Sequence, residues 1–78
     1  MRLRISGTGS ALPKKVVTND DLAKVIDTSD EWIFARTGIH QRHVADETET
    51  IEKLGAAAAE KALEMAGVSA EEIGLIIF

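Results

Sequence analysis

The chain has no cysteine and no tyrosine, one proline, one tryptophan and two histidines in 78 residues. Without cysteine it has neither a disulfide framework nor a thiolate nucleophile or metal ligand, and the two histidines have no acidic or thiol cluster around them. The staples by which small domains offset a thin core are therefore missing, and a chain this short hides only about 60% of the surface it exposes when unfolded. Long hydrophobic runs are also lacking. No apolar stretch is long enough to span a bilayer, and no apolar h-region follows Arg2 and Arg4, so the chain reads as soluble and cytoplasmic, with no membrane partner.

What is present is a globular composition: 45% hydrophobic and 28% charged residues, with a net charge of -4. That predicts a core and, at most, one small domain. The charge is uneven: residues 1–15 carry four basic side chains and no acid, while residues 37–78 carry three basic against eight acidic ones. This is not a nucleic-acid surface; acids at the starts of helices suit the macrodipole and solvated faces.

The segment LRISGTGS, from Leu3, alternates and then becomes glycine-rich, as a strand running into a bend. Gly7 and Gly9 form a G-x-G, but the third glycine of a dinucleotide fingerprint is absent and Pro13 interrupts any following helix, which argues against a phosphate loop. Thr18 reads as the N-cap of a short helix that buries Leu22, Val25 and Ile26. Thr28 and Glu31 read as a capping box opening a second helix, stopped by Gly38; IHQRHV beyond it is a short strand or an extended loop. The longest helix is expected from about Thr50 to Ala66, with Gly67 as its stop and Ala56–Ala59 permitting close, deep packing. Ser69 and Glu72 suggest a further capping box, and Leu75–Phe78, LIIF, a buried parallel strand. Nothing after that strand flanks it, and strand, helices and strand make half of an α/β unit, so residues 1–78 read as part of a larger domain with no internal boundary.

The chemically dense stretch is SDEWIFARTGIHQRH, from Ser29 to His43. In a helix beginning at Thr28, residues four apart share a face, so Thr28, Trp32 and Arg36 line up as hydroxyl, aromatic plate and cation. Such a stripe can stack a nucleotide base, worth about 1–3 kcal/mol, and hold a phosphate, as an adenine nucleotide such as the head of coenzyme A requires. The same spacing also suits Trp32 covering a small core with Arg36 beside it as a cation–π pair. His40 and His43, with no partner carboxylate or thiol at suggestive spacing, are given no catalytic or metal role.

The run DTSDEWIFARTGIHQRH, with TSDEW followed at fixed distance by RTGI, closely resembles the signature near the N-terminus of the β-ketoacyl-acyl-carrier-protein synthase III family. GTGSALPKKVVTNDDL is similar to that family's opening strand and loop, and ETIEKLGAAAAEKALEMAGVSAEEIGLIIF to its first long helix and second strand. The resemblance implies the N-terminal part of an α/β, thiolase-like layered fold, in a parent protein that is usually a homodimer. It implies condensation of acyl-CoA, a substrate rather than a resident cofactor, with malonyl-acyl-carrier protein to start fatty-acid synthesis. It assigns Thr28, Trp32 and Arg36 to the mouth of the acyl-donor tunnel against coenzyme A, and Thr37 to the pantetheine path. The family's Cys nucleophile and its His and Asn lie beyond the matched region, so these 78 residues contribute no catalytic residue. Two alternatives stay open: part of a related thiolase-superfamily acyl-condensing enzyme, or a self-standing α/β module that binds a nucleotide without catalysis.

Overall fold

A computed structural model describes residues 2–78. Its elements are β1 (Lys15–Thr18), α1 (Asn19–Ala23), α2 (Asp30–Thr37), β2 (Gln41–Val44), α3 (Ile51–Ala66) and one 3-10 turn (Ala70–Glu72). They fall into two compact units, one of Leu12–Thr50 and the other of the segment ending at Ala11 with Ile51–Phe78.

In the Leu12–Thr50 unit, β1 and β2 form an antiparallel pair in the register Lys15↔Val44, Val16↔His43, Val17↔Arg42 and Thr18↔Gln41, with both short helices in the connection between them. The sequence left β2 open between strand and loop and gave no sign of β1. Thr18 caps α1 as expected, and Asp21 makes the cap reciprocal: the Asp21 amide donates to the Thr18 hydroxyl at 3.1 Å, and the Thr18 amide to the Asp21 carboxylate at 3.0 Å. This helix stops at Ala23, so Val25 and Ile26 lie outside it and are exposed rather than buried. The cap of α2 is Ser29, not Thr28: its hydroxyl accepts from the Trp32 amide at 3.1 Å. Gly38 ends α2 as expected, at φ 71°, where its amide donates to the Phe34 carbonyl at 2.8 Å.

In the other unit α3 runs as expected to Gly67, also at φ 71°. Val68 and Gly67 donate to the carbonyls of Leu63 and Glu64, both at 3.2 Å, which completes a Schellman ending. The two glycines of the G-x-G lie directly on this helix. A Cβ on Gly9 would meet the Ala58 carbonyl oxygen and come within 2.7 Å of the Ala62 amide; one on Gly7 would meet the Ala62 carbonyl oxygen and come within 2.8 Å of the Ala66 amide. Gly7 and Gly9 are therefore contact surface for α3, at Ala58, Ala62 and Ala66, so the close approach expected of Ala56–Ala59 is met at Ala58 and continues beyond that run. Lys61 Nζ donates to the Ser10 carbonyl at 3.0 Å, and the Thr8 amide lies 3.3 Å from Met65 Sδ, along the same line.

Three expectations for this unit are not met. Neither LRIS nor LIIF forms a strand, because neither extended segment has a ladder partner among the described residues. LIIF is exposed, with Ile77 at 91%. Ser69 makes no side-chain cap bond, because the Glu72 amide donates to the Ser69 carbonyl in a 3-10 turn instead. The expected core is also missing: among the described residues no hydrophobic side chain is fully buried, α3 included. Among the described residues the one fully buried side chain is that of Asn19.

Candidate functional site

Helix α2 is only eight residues long and carries Trp32 and Arg36 in successive turns. The Arg36 guanidinium carbon lies 4.0 Å from the centroid of the Trp32 ring, within cation–π range, and Trp32 is 54% exposed. Trp32 also lines a recess of about 390 Å³ together with Asp27, Thr28 and Ser29. Thr28 precedes the cap of the helix, so the expected stripe of three on one helix becomes two residues on α2 and one in the turn leading into it. Thr28 and Trp32 nevertheless meet in the recess, and Trp32 and Arg36 meet over the ring.

Thr37, the last residue of α2, has its hydroxyl engaged by the backbone: it donates to the Ile33 carbonyl at 2.8 Å and accepts from the Ile39 amide at 3.1 Å. Asp27 and Ser29 line the recess as well, and the sequence reading had not singled them out. An aromatic plate at the edge of such a recess, with a cation over the ring and hydroxyls beside it, can stack a heteroaromatic base and pair with an anionic group.

Behind the helix lies a polar network that sequence spacing had not revealed. Asn19 Nδ2 donates to Asp30 Oδ1 at 2.9 Å and to the Ile39 carbonyl at 2.6 Å, while Asn19 Oδ1 accepts from Arg42 at 2.6 Å. The Asn19 amide donates to the His40 carbonyl at 2.8 Å. His40 does have a carboxylate partner, contrary to the reading from spacing: the turn at Gly38 brings its Nδ1 to 2.9 Å from Asp30 Oδ1. Asp30 ionised can only accept, so Nδ1 carries the proton. Its carboxyl is held below the ordinary value of 3.8, chiefly by His40 and then by Asn19. The His40 ring also stacks on Phe34, with centroids 4.0 Å apart and planes 8° from parallel. His43 is bound separately, its Nδ1 donating to the Pro13 carbonyl at 2.7 Å.

Solved structures resemble the chain in backbone and in sequence. The chain superposes on 3-oxoacyl-[acyl-carrier-protein] synthase III from Aquifex aeolicus with a TM-score of 0.82 and 54% identity, over 90% of this chain and 22% of that one. In sequence it is 60% identical to β-ketoacyl-[acyl-carrier-protein] synthase III of Xanthomonas euvesicatoria across 74 residues, 95% of this chain and 23% of the relative. This chain is similar to the synthases III. The Escherichia coli O9:H4 synthase III is 54% identical over 99% of the chain and 24% of its own length. A priming β-ketosynthase of the R1128 polyketide pathway matches with a TM-score of 0.83 and 42% identity, over 94% of the chain and 24% of that structure. No family model matches.

The chain thus spans about a quarter of the length of the synthases it resembles. The likeness bears out the α/β, thiolase-like fold expected from the sequence. No helix among the described residues is long and apolar enough to cross a membrane.

Proposed function

We propose that this chain is part of a β-ketoacyl-acyl-carrier-protein synthase III, cytoplasmic and homodimeric, that condenses acyl-CoA with malonyl-acyl-carrier protein. Both compact units belong, in this reading, to one condensing-enzyme domain whose remaining parts cover Leu3, Ile5 and Leu75–Phe78. The role of residues 1–78 is to receive the nucleotide end of the acyl donor. Trp32 stacks on the adenine, Thr28 hydrogen-bonds beside it and Arg36 pairs with phosphate. Thr37 is assigned to the pantetheine path. The observation that supports this most strongly is the pairing of an exposed Trp32 with Thr28 in one recess and with Arg36 over its ring, in a chain so similar to the synthases III.

The thioester acyl-enzyme expected of a Cys nucleophile cannot form on these residues, because they contain no cysteine. Their contribution is to binding and orientation. In the complete enzyme Trp32→Ala is expected to raise the KM for acyl-CoA, and Arg36→Ala to raise it with a weaker salt dependence. Unchanged kinetics in both variants would overturn the assignment.

The likeness to a priming β-ketosynthase of a polyketide pathway favours one alternative, a related condensing enzyme that primes secondary-metabolite synthesis from a similar thioester. An acceptor assay separates the two. Preference for malonyl-acyl-carrier protein of fatty-acid synthesis supports the first reading, and preference for a carrier protein of a polyketide pathway supports the second.

A further inference from the structure

An eight-residue helix has little stability of its own, so the orientation of a stacking plate on α2 depends on what holds the helix. The hold is unusually concentrated. One side-chain amide, that of Asn19, bonds both to Asp30 in the first turn of α2 and to the carbonyl of Ile39 just after its last turn. His40 adds a second link back to Asp30, and its ring stacks flat on Phe34. Asp30 and Phe34 are four residues apart and share a face, whereas Trp32 and Arg36 lie about 200° further round the helix. The helix is thus anchored along one face, and the face bearing the plate is left free.

We propose that Asn19, Asp30 and His40 are positioning residues that hold the Trp32 plate in register for the nucleotide of the acyl donor. This rests on the proposed coenzyme A role of Trp32. None of the three lines the recess. They act through the helix: Asp30 fixes its first turn, His40 fixes Phe34 in its middle, and Asn19 ties both ends to β2, where Arg42 closes the network by bonding Asn19 and the Val17 carbonyl. Loss of the anchor leaves Trp32 present but free to rock, which weakens binding of the nucleotide without touching the groups that carry out condensation.

The test is steady-state kinetics of the complete enzyme with acyl-CoA, run on Asp30→Ala, His40→Ala and Trp32→Ala. For the first two, the KM for acyl-CoA is expected to rise about five- to tenfold with a much smaller change in kcat. Asp30→Asn, which keeps an acceptor, and His40→Asn, whose amide nitrogen stands where Nδ1 does, should recover most of the loss. The His40 side chain is 61% exposed, so His40→Ala folds and carries the test even if Asp30→Ala does not. An unchanged KM in His40→Ala, with only a lower melting temperature, overturns the positioning role. Should Trp32→Ala still raise KM in that case, the nucleotide site itself stands; should Trp32→Ala also leave KM unchanged, the site fails and the positioning role with it.

Discussion

Replacing Asn19 by alanine removes three side-chain hydrogen bonds at once, and the magnitude follows from what each partner has left. The bond to the Ile39 carbonyl is neutral, worth about 0.5–1.5 kcal/mol net, and that to Arg42 is charge-assisted, worth about 1.5–3 kcal/mol in a buried setting, while that to Asp30 adds in the same direction. Asp30 and Arg42 are not fully buried and recover part of their share from water, which brings the expected loss to about 2–4 kcal/mol. In urea unfolding of the complete protein, that is a lowered midpoint at an unchanged slope. Asn19→Asp sharpens the test. It is nearly isosteric and keeps an oxygen for Arg42, but it loses both donors and sets a carboxylate against Asp30. It should be at least as harmful as alanine at neutral pH, and should recover as acid protonates one of the pair. A loss below about 0.5 kcal/mol for Asn19→Ala, or a neutral Asn19→Asp, would show that the site needs only to be filled.

Three further outcomes are expected. Gly9→Ala drives a methyl group into the Ala58 carbonyl and the Ala62 amide, backbone atoms that cannot turn aside; it should cost about 1–3 kcal/mol in denaturant unfolding and lift residues 7–10 from α3. Asp21, Asp30 and Asp46 all have carboxyl groups lowered from 3.8, by Thr18, His40 and Thr48 respectively as the leading partners. Their ionised forms therefore stabilise the fold fully above pH 3.8, and that contribution is lost as pH falls through the lower folded-state values; a pH series of urea melts should show an acid limb there, shallower in Asp30→Asn. Gly38→Ala forces a Cβ into the left-handed region at φ 71° and should cost about 1 kcal/mol by the same melts, although open space surrounds it.

Most of the signals that held were local. The Thr18 cap, the glycine endings at Gly38 and Gly67 and the extent of α3 are set by neighbours within a turn or two, and each is where the spacing put it. Trp32 and Arg36 met for the same reason, being one helical turn apart. Much of what failed depended on partners farther off. LIIF has the composition of a strand, but a strand exists only with a neighbour to complete its ladder. β1 is four residues whose partner among the described residues lies beyond two helices, so KVVT offered no periodicity to read. The T-x-x-E pattern placed the cap one residue early because Ser29 beside Thr28 is an equally good cap. Asn19 looked like one more polar residue in a helical first turn. Its importance comes from partners 11, 20 and 23 residues away, a coincidence that no single stretch of sequence displays.

The central claim is that Trp32 reads the nucleotide of the acyl donor rather than covering a core. The most direct measurement compares kcat/KM of the complete enzyme and its Trp32→Ala variant on two donors with the same acyl group, acyl-CoA and a short thioester that lacks the nucleotide. Loss of a base-stacking contact of about 1–3 kcal/mol predicts a fall of roughly five- to 150-fold for acyl-CoA and no change for the short thioester. An equal fall for both donors, or none for either, would contradict it.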